Sequence, residues 1–442
     1  MRPMHASLGE FVDALERAGE LARIDAPVSP MLEIAAITDR VSKSRCSNLP
    51  TPAARAADPR HHDRGGVALL FENVQGADMP VLINAYGSYR RMEMALGCHD
   101  DGPGIESPRV PGGFDGIAER IAELVKPAPP RSWREAIAAF RRFAPLVAIG
   151  PRRSRRAGPC QEIVWKGDRI DVRRLPIIRC WPHDGDLEAV GYPGNINAHI
   201  PGVDSTDPSI RGRYVTLAGI HTIHARDEHD PKPASHNIGM YRVQVLGPRR
   251  MAMHWHMHHD GAAHWRSWKA HGRPMPVAIA LGGESVLPYA ATCPLPPGIS
   301  ELLMAGFLHG RGIEMCRGVT VPLWVPANAE IVIEGYVSHE AGGVGWDPRD
   351  PNADPLGPGA VFEGPFGDHT GFYSMPDRYP ILEITAITHR RSPIYPTTIV
   401  GLPPQEDYYL GKATERIMRP LLKTIMPDIE DYDLPMFGAF HN

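Results

Sequence analysis

The chain has 442 residues, enough for two or three domains, and its 44 Gly and 46 Pro mark it as rich in loops. A net charge of -4 excludes a global attraction for nucleic acid, while a hydrophobic content of 43% suffices for a packed core. Six scattered cysteines (Cys46, Cys98, Cys160, Cys180, Cys293, Cys316) without a CxxC pair argue against a disulfide framework or a cysteine zinc site and fit a reducing cytoplasm. No apolar run approaches the ~20 residues of a membrane span.

Ser7-Leu8-Gly9-Glu10 reads as a capping box opening an amphipathic helix with Phe11, Val12, Leu15 and Leu21 inward. A second helix is expected from Pro30, carrying Ile34, Ile37 and Val41. Residues 45–66 read as a loop, 67–74 and 81–85 as buried strands, and 88–96 as a helix. The Pro/Gly run at 108–113 closes this first α/β unit. A helix over 115–126 precedes an arginine-rich stretch, 131–156. That stretch reads either as a basic patch for nucleic acid or anionic lipid, or as a solvated helix face, which the whole-chain charge favours.

From about 160 to 340 the pattern is mostly β, with strands expected at 163–164, 214–217, 241–246, 251–257, 277–281 and 331–336. Gly247-Pro248-Arg249-Arg250 reads as a hairpin turn, and one helix is expected at 299–308. Short strands so spaced suggest a barrel or sandwich. Two Gly/Pro/Asp-rich insertions, 184–211 and 340–360, read as loops, the second where a lid would lie. A strand over 381–388 and a helix over 412–426 follow.

Two segments carry chemistry. In Glu363-Gly364-Pro365-Phe366-Gly367-Asp368-His369-Thr370-Gly371, two carboxylates stand five residues apart in a segment broken by three glycines and a proline. Such a segment is a shaped loop, and enzymes that move protons often set two acids in different environments. The alternative is a solvated surface turn. In the second segment, His254, His256 and His258 would share one face of a strand, with Trp255 and Met257 on the other. Zinc prefers nitrogen and sulfur ligands, whereas one His combined with Asn237 and a Glu would suit Mn²⁺ or Mg²⁺ bridging a phosphate. Solvated histidines on a polar face remain the alternative.

The ordered set HNIGMYR, HWHMHHDG, ISELLMAG, AEIVIEGY and EGPFGDHTGFY resembles the UbiD family of decarboxylases, which use prenylated FMN. The likeness spans most of the chain. It implies an α/β N-terminal domain (1–113), a central split β-barrel flavin-binding domain (114–340) and a truncated C-terminal α/β domain (341–442), α+β overall. By the same resemblance Asn237, His258 and Glu301 would be metal ligands for Mn²⁺, with K⁺ as a companion ion. Met240, Tyr241, Arg242, His254, Trp255, His256, His259 and Asp260 would meet the cofactor, although the family often has a basic residue and Gly where this chain has His259 and Asp260. Arg242, Glu363 and Asp368 would be catalytic, with Asp368 the proton donor.

The activity implied is decarboxylation of an aromatic or unsaturated acid, with 4-hydroxy-3-polyprenylbenzoate in quinone biosynthesis the leading substrate. A flavin prenyltransferase would supply the cofactor. The protein would be a cytoplasmic homo-oligomer without nucleic-acid partners, and a peripheral contact with the inner membrane is left open. Family members continue past the point matching Asn442 and contribute a lysine and assembly contacts there, so a weakened oligomer is expected. A non-catalytic or split-subunit cofactor-binding protein and an FMN-dependent flavin reductase are the alternatives.

Overall fold

A computed structural model describes residues 4–100, 107–125, 148–296, 298–341 and 359–437. Most of the arginine-rich stretch and of the 340–360 insertion therefore lies outside the described residues.

The chain opens with helix α1 (Leu8–Arg17), strand β1 (Leu21–Ile24), and helices α2 (Glu33–Ser42) and α3 (Pro52–Ala57). Strands β2 (Ala68–Phe71) and β3 (Val81–Ile83) and helices α4 (Tyr89–Leu96) and α5 (Gly113–Val125) follow. Ser7 and Ser88 cap α1 and α4 by accepting from the backbone N–H three residues on. Three expectations need correction. Leu21 lies in β1 rather than α1, because Gly19 at φ 70° ends the helix. Helix α2 starts at Glu33, after Leu32 at φ 73°. The 45–66 loop contains α3, started by the Thr51 cap and Pro52 in the first turn.

Next come strands β4 (Arg152–Arg153), β5 (Ile163–Trp165), β6 (Tyr214–Val215) and β7 (Gly219–Thr222). They are followed by β8 (Asn237–Met240), β9 (Val243–Val245), β10 (Arg250–Met253) and helix α6 (Asp260–Ala270). Strand β11 (Met275–Leu281), helices α7 (Leu287–Ala290) and α8 (Glu301–His309), and strands β12 (Glu314–Arg317), β13 (Trp324–Pro326) and β14 (Ile331–Val337) complete the middle of the chain. Strands β15 (Ala360–Glu363), β16 (Asp377–His389) and β17 (Tyr395–Thr397) precede helices α9 (Glu406–Ile417) and α10 (Arg419–Ile425). The expected single helix at 412–426 is thus two, with Pro420 in the first turn of the second.

The first sheet has the order β1-β2-β3-β17, with Tyr395–Thr397 pairing parallel to Val81–Ile83. The large sheet runs β6-β9-β10-β16-β14-β11-β7-β8, with β5 and β15 also on β16. A small third sheet has the order β13-β12-β4; residues after 341 contribute to the first and the large sheet, and α9 packs on α4 and α5. Strand β8 ends the large sheet on one side and β9 is next to last on the other, yet only Tyr241 and Arg242 separate them in sequence. A two-residue link spans at most about 11 Å between flanking Cα atoms, so the sheet must curl until its ends approach. Arg242 stands in that gap. The main core fills the curl with Val243, Met251, Ile279, Ile333, Leu382 and their neighbours. Among the described residues no helix is long and apolar enough to cross a membrane.

Candidate active site

Glu363 ends β15 and is fully buried, while the side chain of Arg242 is 15% exposed. Their side chains meet in two parallel hydrogen bonds, from Arg242 Nε to Glu363 Oε1 at 2.7 Å and from Nη2 to Oε2 at 3.0 Å. Nη2 also donates to Ser374 Oγ at 3.1 Å, and the Phe366 ring lies 4.7 Å from the guanidinium carbon. His254 Nδ1 is 3.0 Å from Glu363 Oε2. Burial alone would raise the Glu363 carboxyl, but the Arg242 and His254 contacts win and hold it well below the usual carboxylate range. His254 is pushed down to about 4, first by burial and then by the Arg242 charge, so its ring is neutral at pH 7.

Non-local contacts fix the loop after Glu363. Gly364 adopts φ 98° and donates to Gln244 Oε1 at 3.0 Å. Asp184, 0% exposed, accepts from the Gly367 N–H at 2.8 Å and from the Trp181 N–H at 2.8 Å. Its carboxyl is pushed up to about 6 by burial, against these hydrogen bonds. Tyr214 Oη donates to Pro365 O, and Ser374 Oγ accepts from the Phe366 N–H. Asp368 lies further along, its side chain 33% exposed, 2.7 Å from His369 Nδ1 and accepting from Thr370 Oγ1 at 3.2 Å. Among the described residues Asp368 shares no hydrogen bond with Glu363 or Arg242, so the expected three-member network is joined here only as Arg242–Glu363, extended by Ser374 and His254. Asp184, Gln244, Ser374 and Trp181 were not singled out from sequence. Nothing local marks them, since each acts across more than a hundred residues or through the loop's own return.

The histidine segment departs from the expected strand. β10 stops at Met253, and the chain turns at 257–258 into α6, whose N-cap is His259. The three imidazoles therefore do not line one strand face. His254 reaches inward, with Nε2 2.9 Å from Nε2 of the exposed His256, while His258 sits exposed in the turn. Trp255 is 0% exposed and its indole N–H has no partner among the described residues. Tyr241 packs on Trp255 and His259 with ring centroids 6.4 and 4.8 Å away. Met240 is half-buried at the end of β8.

A second polar corner forms where β8, α6 and α8 begin. Glu301, the first residue of α8, accepts from the Ile238 N–H at 2.8 Å through Oε2 and is 7% exposed. Its carboxyl is pushed up to about 7, chiefly by burial, with the Asp260 charge adding to the shift. Asn237 Nδ2 is buried and has no hydrogen-bond partner within bonding geometry among the described residues. No hydrogen bond joins His258 to Asn237 or Glu301, and no cluster of three His, Cys, Asp or Glu suited to a metal occurs among the described residues.

The family model described as the 3-octaprenyl-4-hydroxybenzoate carboxy-lyase Rift-related domain matches residues 152–403, and the corresponding N-terminal domain model matches residues 12–106. An uncharacterized protein of Aquifex aeolicus is 41% identical over 99% of this chain and 73% of its own length. One of Archaeoglobus fulgidus is 37% identical, also covering 99% and 73%. Among solved structures, vanillic acid decarboxylase of Sedimentibacter hydroxybenzoicus in closed form aligns with a TM-score of 0.66 at 24% identity, covering 96% of this chain and 71% of the other. The UbiD-class enzyme HmfF from Pelotomaculum thermopropionicum, in an evolved dimeric form with prFMN, gives 0.66 at 23% identity and covers 98% and 77%. With the matched models spanning most of its length and such relatives along all of it, the chain belongs to the UbiD family of carboxy-lyases.

Proposed function

We propose that this protein decarboxylates an aromatic carboxylic acid with the aid of prenylated FMN, at a site built on Arg242, Glu363 and Asp368. The observation that carries this reading is the clasp of Glu363 by one edge of Arg242. It spends Nε and Nη2 and leaves Nη1 without a partner among the described residues, at the gap where the large sheet curls on itself. The Nη1 hydrogens left beside that gap are suited to a substrate carboxylate.

The residues present fit the phosphate end of a flavin bridged by a cation. The buried indole N–H of Trp255, the Asn237 amide and the first turn of α6, which no side chain caps, offer donors. The carboxylates of Glu301 and Asp260 would repel a bare phosphate, and a hard cation such as Mn²⁺ held by Asn237 and Glu301 would reconcile the two. Prenylated FMN, when bound, supplies the electron sink for the charge left on carbon as CO₂ departs. Arg242 would hold the substrate carboxylate before that departure, and Glu363 fixes the guanidinium plane. Asp368, partly exposed, would be the group that protonates the carbon.

The test is co-expression with a flavin prenyltransferase, followed by a screen of aromatic acids for CO₂ release, with 4-hydroxy-3-polyprenylbenzoate first. Release from any of them supports the reading. A loaded protein that releases CO₂ from none of the acids would favour a cofactor-binding subunit instead.

A further inference from the structure

Two thiols meet in the core, away from the site described above. Cys160 stands in the short turn before β5, and Cys316 lies in β12, the middle strand of the small sheet. Their sulfurs are 3.7 Å apart, although 156 residues separate them in sequence. Both residues are 0% exposed. Among the described residues no such contact joins any other two of the six cysteines.

The backbones on either side hold this approach. Ala327 O accepts from the Cys160 N–H at 3.1 Å, while the Ala327 N–H donates to Glu314 O of β12 at 2.8 Å. One residue thus anchors both segments. Gln161 Nε2 donates to Arg317 O at 2.6 Å, which joins the residues that follow the two cysteines. Gly158 is seated so closely that a Cβ built on it would fall 2.6 Å from Ala327 O. A disulfide bond is about 2.05 Å long, so the sulfurs have only about 1.7 Å left to close. Rotation of the two side chains covers that distance with the backbone left in place.

We propose that Cys160 and Cys316 form a redox site, at which hydrogen peroxide joins them in a disulfide that ties the small sheet to the large one. The proposal is independent of the decarboxylase reading. Hydrogen peroxide is little larger than water and reaches a buried sulfur during local opening, whereas bulkier oxidants are excluded. In the first step one sulfur attacks a peroxide oxygen and the O–O bond breaks. The thiol proton leaves with the displaced hydroxide as water, and a sulfenic acid remains. The second sulfur then attacks the first, the S–O bond breaks, and the second thiol proton departs with that hydroxide as water. Two thiols lose two electrons and one peroxide gains them. The closed loop runs from β5 to α8 and carries both Arg242 and Glu301. Closing so long a loop removes freedom from the unfolded chain, so the oxidised form should resist unfolding.

The experiment treats the reduced full chain with hydrogen peroxide and then blocks the remaining thiols in denaturant. A non-reducing peptide map should show Cys160 linked to Cys316, and the link should vanish on reduction. The urea midpoint of the oxidised protein should exceed that of the reduced protein. After the same treatment Cys160→Ser and Cys316→Ser should show no such rise, and dimedone should label the remaining cysteine of the pair as a sulfenic acid. If either variant fails to fold, the wild-type map decides alone. Oxidised wild-type protein without the linked peptide, or with either cysteine joined elsewhere, overturns the site. A linked protein whose urea midpoint does not rise overturns its stabilising role.

Discussion

Gly367 lies against Trp181 so closely that a Cβ built on it would fall 2.1 Å from Trp181 Cδ1. Trp181 cannot retreat easily, because its indole N–H donates to Val400 O at 2.6 Å and its ring also faces Gly401. Gly367→Ala should therefore displace the loop that carries Asp368 and break the Gly367–Asp184 hydrogen bond, while the sheets persist. The expected result is a melt that stays cooperative with stability reduced by about 1–3 kcal/mol, the usual cost of overpacking, together with loss of decarboxylation. A variant with wild-type turnover would show that the loop position is not critical.

Removing one partner of the Arg242–Glu363 pair should be costly, by about 3–5 kcal/mol, because an uncompensated charge stays buried. The two halves are not equivalent. Glu363 is 0% exposed and Arg242 15%, so Arg242→Ala, which strands the carboxylate, should lower the urea midpoint more than Glu363→Gln. The pair's contribution also has a pH sign. A carboxyl held below its unfolded value stabilises the fold fully above pH ~4.3 and loses that effect only as pH falls through its folded value. The gap between wild type and Glu363→Gln should accordingly stay constant from pH 6 to 8.

Glu93 provides the opposite sign. It is 0% exposed and accepts from the Thr51 N–H at 3.2 and 3.1 Å, yet burial pushes its carboxyl up to about 8. A group raised in this way stabilises the fold fully below its unfolded pKa, and the contribution is lost as pH rises through about 8. Relative to Glu93→Gln, wild-type stability should fall by up to ~1.4 kcal/mol per pH unit between pH 5 and 8. Urea titrations of both proteins at three pH values would check it, and parallel pH profiles would rule it out.

The sequence made local structure legible and non-local structure largely not. Ser7 and Gly247-Pro248-Arg249-Arg250 announced their cap and hairpin because each acts within four residues. The alternation from Met253 to His258 misled, since the helix entered at Asp260 needs the preceding residues to turn, and that demand overrides period two. Tyr395–Thr397 could not be assigned to the first sheet, because its partner Val81–Ile83 is remote in sequence. The acid loop was legible as a loop from its glycines and proline. The Arg242–Glu363 pairing came from family resemblance, and the His254 contact was visible only once the chain turned.

If Asn237 and Glu301 hold a cation, Glu301→Gln should reduce bound manganese and bound flavin together, since the metal is what lets the phosphate sit beside the carboxylates. Elemental analysis and the absorption spectrum of protein co-expressed with a flavin prenyltransferase would read both quantities. Full flavin with no manganese would separate the two and remove the bridge.

Asp368→Asn should abolish turnover while leaving cofactor bound. Asp368 sits in the loop after β15 and shares no hydrogen bond with Asn237, Glu301 or the first turn of α6, so its change should spare the cofactor corner. An amide can keep the contacts to Thr370 and His369 that shape the loop, but it cannot give up a proton at neutral pH. A general acid typically contributes ~10²–10⁴-fold, so a loss of at least that size is expected in kcat. Exchange of solvent deuterium into a decarboxylated product analogue isolates the proton step from CO₂ release. Wild-type exchange in Asp368→Asn would exclude Asp368 as the donor and move the role to Glu363, whose variant should then be the one that fails to exchange.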